Sequence, residues 1–198
     1  MSIGKTWVSV MDNIIQSGIE YENDFWEISN AVVAFEVTDL DQDDILKKYC
    51  SPNNVLEMEK VFFSDGANSF GHSYRNRWRG PNGKNDLTDI ISMLKSKPTT
   101  KRAILTFESD ATKTPCINII HFTCRNNILY ASYFSRGQDI FNKFYADAFC
   151  IQKFGQIIAE ELNVPLERIT GFISSAHIYN KDLARAKQIL LEIGGTLS

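Results

Sequence analysis

The segment DIFNKFYADAFCIQKFGQIIAEEL, residues 139–162, is the feature that most constrains the fold of this 198-residue chain. It predicts one long and strongly apolar helix, and a helix of that kind belongs in the centre of a core. The segments RAILTFES, INIIHFTC and ILYASYFS before it predict strands, and RNN between the last two predicts a hairpin turn. We therefore expect a central helix packed against a sheet.

The remaining segments add helices and strands without a strict βαβ alternation. TWVSVMDNIIQSG, NNVLEMEKVFFSDG, LTDIISMLKSKP and NKDLARAKQILLEIGG predict helices. FWEISNAVVAFEVTDL and RITGFISSAHIY predict strands, the first with an irregularity near Ser29 and Asn30, and the glycine- and asparagine-rich GANSFGHSYRNRWRGPNGKN predicts a loop. This order is typical of an α+β fold around one sheet, and we expect residues 1–198 to form a single domain.

Composition narrows the class of function. The net charge of −3 and the pI of about 5.6 do not favour a nucleic-acid-binding surface. The chain has no apolar run long enough for a signal peptide or a membrane span, and its four cysteines form no CxxC pair. We therefore expect a cytoplasmic protein with no membrane partner, no nucleic-acid partner and no metal.

Several residues that can carry chemistry follow one another at defined intervals in the second half of the chain. They are Cys116, directly after a proline and before a strand; Arg136 and Asp139 in RGQD; Asp147, eight residues further on; and His177 and Tyr179 in AHIY. We expect Asp139 and Asp147 on the first turns of the long helix, and His177 and Tyr179 on one face of a strand. Each residue alone has an ordinary structural interpretation, since a lone cysteine is usually core and acids in a first turn usually favour the helix dipole.

Taken together, these motifs resemble the thymidylate synthase family. In that family a proline–cysteine precedes a strand, an Arg–x–x–Asp opens the central helix and a His–x–Tyr follows. Upstream, SYRNRWR resembles the family's tyrosine segment, KPTTKRAIL its paired-arginine segment and EKVFFSDG its glutamate helix. The resemblance covers roughly residues 53–180. It implies a mixed sheet flanked by helices with a long central helix, and chemistry at C5 of a pyrimidine nucleotide.

The resemblance also implies catalytic roles. Cys116 would be the thiolate that adds to C6 of the pyrimidine, which makes C5 a carbon nucleophile. Arg136 and the substrate phosphate would supply the field for a low thiol pKa. Tyr74 would assist proton removal at C5, and Glu59 would organise water and proton transfer, with Glu57 as the alternative because the helix register is ambiguous.

Substrate-binding roles follow from the same resemblance. Arg136, with Lys101 and Arg102, would bind the 5′-phosphate, and the paired cations would come from the other subunit, which implies a homodimer. Lysine at 101 lacks the fork of the usual arginine. His177 and Tyr179 would hold the sugar 3′-hydroxyl. Asp139 would be a retained contact to the cofactor.

Asp147 departs from the family, which has an asparagine at this position to read uracil. Cytosine presents the opposite hydrogen-bond pattern, which a protonated carboxylic acid matches. The same replacement marks the deoxycytidylate and cytidylate hydroxymethylases of the superfamily. Asp147 therefore predicts a cytosine nucleotide, CMP or dCMP; the alternative is a helix-surface acid at a decayed site.

Further departures concern the cofactor, methylenetetrahydrofolate. Lys143 replaces a glycine that makes room for folate, Gly137 replaces a phosphate-binding serine, and Ile117 replaces a histidine. The segment between Glu59 and Tyr74 is short, and the family's last strands and C-terminal tail have no counterpart in the sequence. We therefore expect weak folate binding or none.

Three interpretations remain open. The protein is a cytosine-nucleotide C5 enzyme of the hydroxymethylase type, or a C5 enzyme with a non-folate electrophile in modified-nucleoside or natural-product biosynthesis, or a non-catalytic nucleotide-binding paralogue. The first two predict a low pKa for Cys116. The sequence does not distinguish ribose from deoxyribose.

Overall fold

The structure, a computed structural model, describes residues 1–64, 73–79, 86–109 and 114–194. The helices are α1 (Ile3–Ser17), α2 (Asp44–Tyr49), α3 (Pro52–Phe63), α4 (Tyr74–Arg79), α5 (Asp86–Ser96), α6 (Phe144–Leu162) and α7 (Asn180–Ile193). The strands are β1 (Ile19–Tyr21), β2 (Phe25–Glu36), β3 (Ile104–Thr106), β4 (Ile117–Arg125), β5 (Ile128–Ser135), β6 (Gln138–Asp139) and β7 (Leu166–Tyr179).

The strands form one mixed sheet, which confirms the predicted α+β class. Its order is β1-β2-β7-β5-β4-β3, and β6 pairs with β7 off this path. β7 runs parallel to β5 and β6, and the other neighbouring pairs are antiparallel. Asn126 and Asn127 join β4 to β5 with φ of 52° and 60°, the backbone that a two-residue hairpin turn requires.

The predicted central helix is α6. Phe144, Ile151, Phe154 and Ile158 on this helix are all fully buried. It packs against α1, α3 and α5 and against strands β5 and β7. Burial around so much of its surface explains why the segment has no wide polar face.

The start of α6 corrects one sequence prediction. The helix begins at Phe144, so Asp147 lies in its first turn but Asp139 does not. Asp139 lies in β6, and its carboxylate accepts hydrogen bonds from the Asn142 N–H at 3.0 Å and from Asn142 Nδ2 at 3.1 Å. These bonds form a polar turn between the strand and the helix.

Four short elements, α2, α4, β1 and β6, were not predicted from the sequence. α4 lies within the segment that we expected to be a loop, and the rest of that segment lies partly outside the described residues. Its Trp78 ring packs on Phe154, and the Trp78 indole N–H donates to the Phe62 carbonyl at 2.8 Å. Tertiary packing therefore stabilises a helix that glycine-rich neighbours obscure in the sequence.

The irregularity expected in β2 is present at Asn30, whose φ is 59°. Opposite it, the buried positions along β7 change phase. They are Ile169 and Ile173 before Ser174, and Ala176 and Ile178 after it. A strict two-residue period would have turned His177 toward the side of Ile173. The irregular stretch thus reverses which residues of β7 face the core.

One face of the sheet carries exposed apolar side chains, and we call it the open face. Val32, Phe172, Phe134 and Ile119 are cross-strand partners in β2, β7, β5 and β4, and so form one row across it. Val32 is 71% exposed and Phe172 39%, and the rings of Phe134 and Phe172 stack at 5.8 Å.

In the described ranges no helix combines the length and the apolar character needed to span a membrane.

Candidate active site

A cavity of about 720 Å³ gathers most of the residues singled out from the sequence. Its described lining includes Tyr74, Cys116, Arg136, Asp139, Asp147, His177 and Tyr179. Glu59, Lys101 and Arg102 are not part of that lining. The elements that meet here are α3, α4, the start of β4, the β5–β6 junction, the first turn of α6, the end of β7 and the start of α7.

Cys116 lies at the entrance to β4 and is exposed to the cavity. Its backbone N–H and that of Ile117 donate to the Tyr74 hydroxyl at 3.1 and 3.2 Å. Its carbonyl accepts from the Arg136 N–H at 2.9 Å and from Ser135 Oγ at 3.1 Å. Tyr74 in turn stacks on Phe62 at 4.3 Å, so the backbone that carries the thiol is anchored to the core.

The Arg136 guanidinium is fixed beside that thiol by backbone carbonyls. Nε donates to the Pro115 carbonyl at 3.1 Å, and Nη2 donates to the Thr114 carbonyl at 2.9 Å. Nη2 also lies 4.0 Å from Cys116 Sγ. The loop before β4 therefore holds a positive charge at the edge of the cavity, where an anion can meet it.

The pKa of the Cys116 thiol is nevertheless raised above its usual value. Burial is the main cause, and the charges of Asp147 and Asp139 act in the same direction, while Arg136 opposes them. The side chain touches cavity solvent but is surrounded by protein, which explains how an exposed thiol is also desolvated. The sequence predicted a low pKa for Cys116, and this prediction is wrong as far as burial and the neighbouring charges of the protein itself set that pKa.

Asp147 is the most buried acid of the cavity, with 4% of its surface exposed. Its Oδ2 accepts a hydrogen bond from Gln138 Nε2 at 3.0 Å, whereas its Oδ1 is buried and has no hydrogen-bond partner among the described residues. Burial raises the pKa of Asp147 to about 7; Gln138 and Lys143 oppose this shift and Asp139 adds to it. The alternative of a helix-surface acid is thereby excluded.

Gln138 and Tyr133 belong to the site but were not identified from the sequence. Both side chains are buried, and the Tyr133 hydroxyl donates to Gln138 Oε1 at 3.4 Å. Burial raises the Tyr133 pKa, so its hydroxyl stays protonated. The only available signal was the position of Gln138 between Arg136 and Asp139, and nothing in that spacing indicates a contact with Asp147.

His177 and Tyr179 share one face of β7, as predicted, and both line the cavity. Their rings meet edge to face at 5.2 Å, and the Phe25 ring packs against both of them. The Ser175 hydroxyl lies 3.4 Å from His177 Nδ1, and the same hydroxyl donates to the Glu27 carboxylate. The imidazole is thus oriented by strand neighbours.

α3 turns Asn54 and Met58 toward the cavity rather than either glutamate. Glu59 is half-buried and forms an ion pair with Lys153 of α6, and Glu57 is exposed. Lys101 and Arg102 are both exposed and immediately precede β3.

The outer wall of the cavity is polar and charged. Lys143, Lys181 and Asp182 line it, and Asn142 Nδ2 donates to Asp182 at 2.8 Å and to Asp139 at 3.1 Å.

The described parts of the chain contain no group of three or more His, Cys, Asp or Glu side chains that could hold a metal ion.

Comparisons with known proteins agree with this geometry. The family model described as thymidylate synthase matches residues 8–193. A protein of Methanothermobacter marburgensis named "Putative thymidylate synthase" is 26% identical over 147 residues, which cover 72% of this chain and 66% of that protein. A protein of the same name from Methanocaldococcus jannaschii is 24% identical over 197 residues, covering 90% of this chain and 88% of that protein.

A third relative, the "Thymidylate synthase" of Phytoplasma mali, is 25% identical over 162 residues, covering 74% of this chain and 56% of that protein. The chain thus spans just under two thirds of the M. marburgensis relative and little more than half of the P. mali one. The family match covers nearly the whole chain and includes every element that lines the cavity. This chain belongs to the thymidylate synthase family.

Proposed function

We propose that the protein modifies C5 of a pyrimidine nucleotide through covalent addition of Cys116 to C6. One observation carries this proposal: the Cys116 sulfur, the fixed Arg136 guanidinium and the buried Asp147 oxygen all border a single cavity. A nucleotide has an electrophilic ring carbon for Cys116 to attack, a phosphate for Arg136 to bind and a polar base edge for Asp147 to contact.

The chemistry needs no redox step. The Cys116 thiolate forms a bond to C6, the C5=C6 electron pair moves toward C5 and the O4 or N4 side, and C5 then attacks a one-carbon electrophile. Loss of the C5 proton and expulsion of the thiolate restore the C5=C6 double bond and free the enzyme. Burial raises the Tyr74 pKa, so this hydroxyl stays protonated and would assist by orienting a water rather than as a phenolate base.

Glu59 would have to leave Lys153 to take part in this proton transfer. The pair is partly exposed, and exposed ion pairs contribute only about 0–1 kcal/mol, so such a movement is inexpensive. We retain Glu59 as the proposed organiser of water at the base, because Glu59 is half-buried and contacts α6 through Lys153, whereas Glu57 is exposed.

A homodimer would supply the remaining phosphate cations. Lys101 and Arg102 do not line the cavity of their own chain, and they lie just before Ile104, an exposed residue of the same sheet. The open face offers an apolar row on four strands, which a second copy of the chain would cover. The partner's Lys101 and Arg102 would then join Arg136 at the 5′-phosphate.

Asp147 would select a cytosine nucleotide, CMP or dCMP, as in a hydroxymethylase. A neutral carboxyl can donate to the N3 lone pair of cytosine, whereas uracil presents an N3–H donor at the same position and mismatches it. Because burial raises the pKa of Asp147 to about 7, a large fraction of this carboxyl is neutral near pH 7. His177 and Tyr179 would hold the sugar, whether ribose or deoxyribose.

Methylenetetrahydrofolate is the one-carbon donor associated with the family, but the described residues do not fit it well. Where a pterin would need an apolar stacking surface, the outer wall presents Lys143, Lys181 and Asp182. We therefore derive no step through folate and propose a smaller or more polar one-carbon electrophile.

A second candidate is a non-catalytic nucleotide-binding paralogue. The raised pKa of Cys116 favours it, since a mostly protonated thiol is a poor nucleophile. The two candidates differ in whether C5 loses its proton.

Tritium release from 5-tritiated CMP, dCMP, UMP and dUMP, with and without methylenetetrahydrofolate or formaldehyde, distinguishes them. We expect release with a cytosine nucleotide, loss of release in Cys116→Ala by at least about a hundredfold, and nucleotide affinity within a few-fold of wild type. Cys50→Ala, outside the cavity lining, is the matched control and should retain release. Equal release by Cys116→Ala and wild type would refute covalent addition; no release by any protein would favour the paralogue.

A further inference from the structure

Gln138 connects the deepest carboxyl of the cavity to the core of the sheet. Its amide N–H donates to Asp147 Oδ2 at 3.0 Å, and its carbonyl accepts from the Tyr133 hydroxyl at 3.4 Å. The Tyr133 ring occupies space left by Gly171, where a Cβ would come within 2.2 Å of the ring. The orientation of the Gln138 amide is therefore set from the side remote from the substrate.

The two oxygens of Asp147 consequently have different environments. Oδ2 is committed as an acceptor of the Gln138 N–H, whereas Oδ1 is buried with no partner in the described part of the chain. Buried polar atoms are normally paired, and Asp147 lines the cavity. Oδ1 is thus the oxygen to which a ligand would bind.

We propose that Gln138, by committing Oδ2, leaves Oδ1 alone to read position 3 of the pyrimidine, donating to N3 of cytosine when Asp147 is neutral and accepting N3–H of uracil when it is ionised. This inference rests on the proposed function and adds a specificity-determining residue, Gln138. It also makes the base preference dependent on pH, since each base needs a different protonation state of one carboxyl.

The direction of that dependence follows from the surroundings of Asp147. Its pKa of about 7 places both forms near neutrality. Cytosine binding needs the neutral form, so it is strongest below that pKa and weakens as the pH rises through it; uracil binding has the opposite dependence. The Gln138 hydrogen bond favours the ionised form, so its removal should raise the Asp147 pKa further.

Other titratable or charged groups face this carboxyl or share its cavity. They are Lys143 and Cys150 on α6, Asp139 on β6, Tyr133 on β5, Tyr74 on α4, Cys116 and Arg136 at the cavity edge, His177 and Tyr179 on β7, and Lys181 and Asp182 on α7. Burial raises the pKa of each of these cysteines and tyrosines, so they stay neutral at pH 7. The contacts to the phosphate and the sugar are common to cytosine and uracil nucleotides, so their effects cancel in a ratio of the two affinities.

The experiment therefore measures a ratio. Dissociation constants of CMP and UMP are determined by calorimetry across about pH 6 to 8.5, and Kd(UMP)/Kd(CMP) is plotted against pH. For wild type we expect this ratio to fall by at least about tenfold between pH 6 and pH 8. Asp147→Asn should remove the pH dependence. Gln138→Leu should move its midpoint to higher pH, and Tyr133→Phe should do so by less.

Ribose 5-phosphate, which has no base, reports whether each variant still holds the phosphate and sugar. Its affinity should not change in these variants, and Gln188→Leu on the outer surface of α7 serves as the matched glutamine control. If Gln138→Leu does not fold, Tyr133→Phe, which removes only a hydroxyl, decides the question.

A ratio that is independent of pH in wild type overturns the inference. An unshifted midpoint in Gln138→Leu with normal ribose 5-phosphate binding overturns the role of Gln138. These outcomes are separate from the catalytic proposal, because Cys116-dependent tritium release with a constant ratio would leave catalysis standing. A pH-dependent ratio without tritium release would support base reading by Asp147 and would contradict the catalytic proposal.

Discussion

The Cys116 thiol carries the proposed chemistry, yet the charge of Asp147 in the same cavity opposes its ionisation. Arg136 acts in the opposite sense, but its guanidinium N–H groups already donate to backbone carbonyls. Neutralising Asp147 is therefore the change most directly available for promoting the thiolate. A cytosine that binds the neutral carboxyl would have the same effect, so substrate recognition would also activate the nucleophile.

We predict that Asp147→Asn lowers the pKa of Cys116, because it removes the largest unfavourable charge acting on the thiol. Alkylation by iodoacetamide at a fixed pH near 7.5 should accelerate about three- to tenfold, and the pH–rate curve should move to lower pH. Asp182→Asn, another acid of the cavity wall, is the matched control and should leave the rate unchanged. Arg136→Leu should slow alkylation. An unaltered curve in Asp147→Asn would contradict the electrostatic coupling.

At the scale of single residues, the sequence predicted those side chains whose spacing along the chain is itself informative. Cys116, Arg136, Asp147, His177 and Tyr179 line the cavity as the motif intervals suggested. Gln138 and Tyr133 could not be found in that way. Tyr133 of β5 contacts Gln138 of β6, and Gln138 contacts Asp147 of α6, so these contacts join separate elements and have no regular spacing along the chain.

The position of Glu59 depends instead on helical phase. Successive residues of a helix point about 100° apart. Met58 therefore faces the cavity while Glu59, the next residue, faces Lys153. Met58 and Asn54, four residues apart, take the cavity side of α3. No feature of NNVLEMEKVFFSDG distinguishes these two phases, because both faces carry apolar residues.

Among the elements, β7 has the strongest influence on the site. Its buried positions change phase near Ser174, opposite the irregular Asn30 of β2, and only because of this change do His177 and Tyr179 leave the core and reach the cavity. Alternation along the strand predicted that these two residues share a face, but not which face. The irregularity itself was visible in the sequence as polar residues interrupting an apolar run.

Asn30 should therefore tolerate glycine but not a β-branched residue. Its φ of 59° is accessible to glycine and costs a β-branched side chain about 1–2 kcal/mol. We expect Asn30→Val to lower the free energy of unfolding in urea by that amount and to weaken nucleotide binding, whereas Asn30→Gly should stay within about 0.5 kcal/mol of wild type. Equal stabilities of the two variants would show that the positive φ does not constrain the strand.

At the scale of the whole molecule, the cavity and the two cations expected to complete it lie apart on one chain. Lys101 and Arg102 precede β3, at one end of the strand order, while the strands that contribute residues to the cavity are β6, β7 and the start of β4. The open face, with Val32 and Phe172 exposed, lies between copies in the proposed dimer. Each active site would then be built from two chains.

Subunit complementation tests that arrangement. Cys116→Ala and the double variant Lys101→Ala/Arg102→Ala should each be inactive alone. Random mixing by co-refolding makes half of the dimers hybrid, each with one intact site, so roughly a quarter of wild-type tritium release should return. Mixing Cys116→Ala with Arg136→Ala is the matched control and should restore nothing, because both changes fall on the same chain's side of the site. Failure of the first mixture to regain activity would exclude shared sites.

The open face also has a consequence for gene dosage. If a site needs two chains, then below the dimer's dissociation constant the number of complete sites rises with the square of the chain concentration. Halving the expression of the protein in that range would cut its flux to roughly a quarter, whereas above it the loss would be only half. The apolar row of Val32, Phe172, Phe134 and Ile119 would thus set the expression level at which a cell first gains the activity.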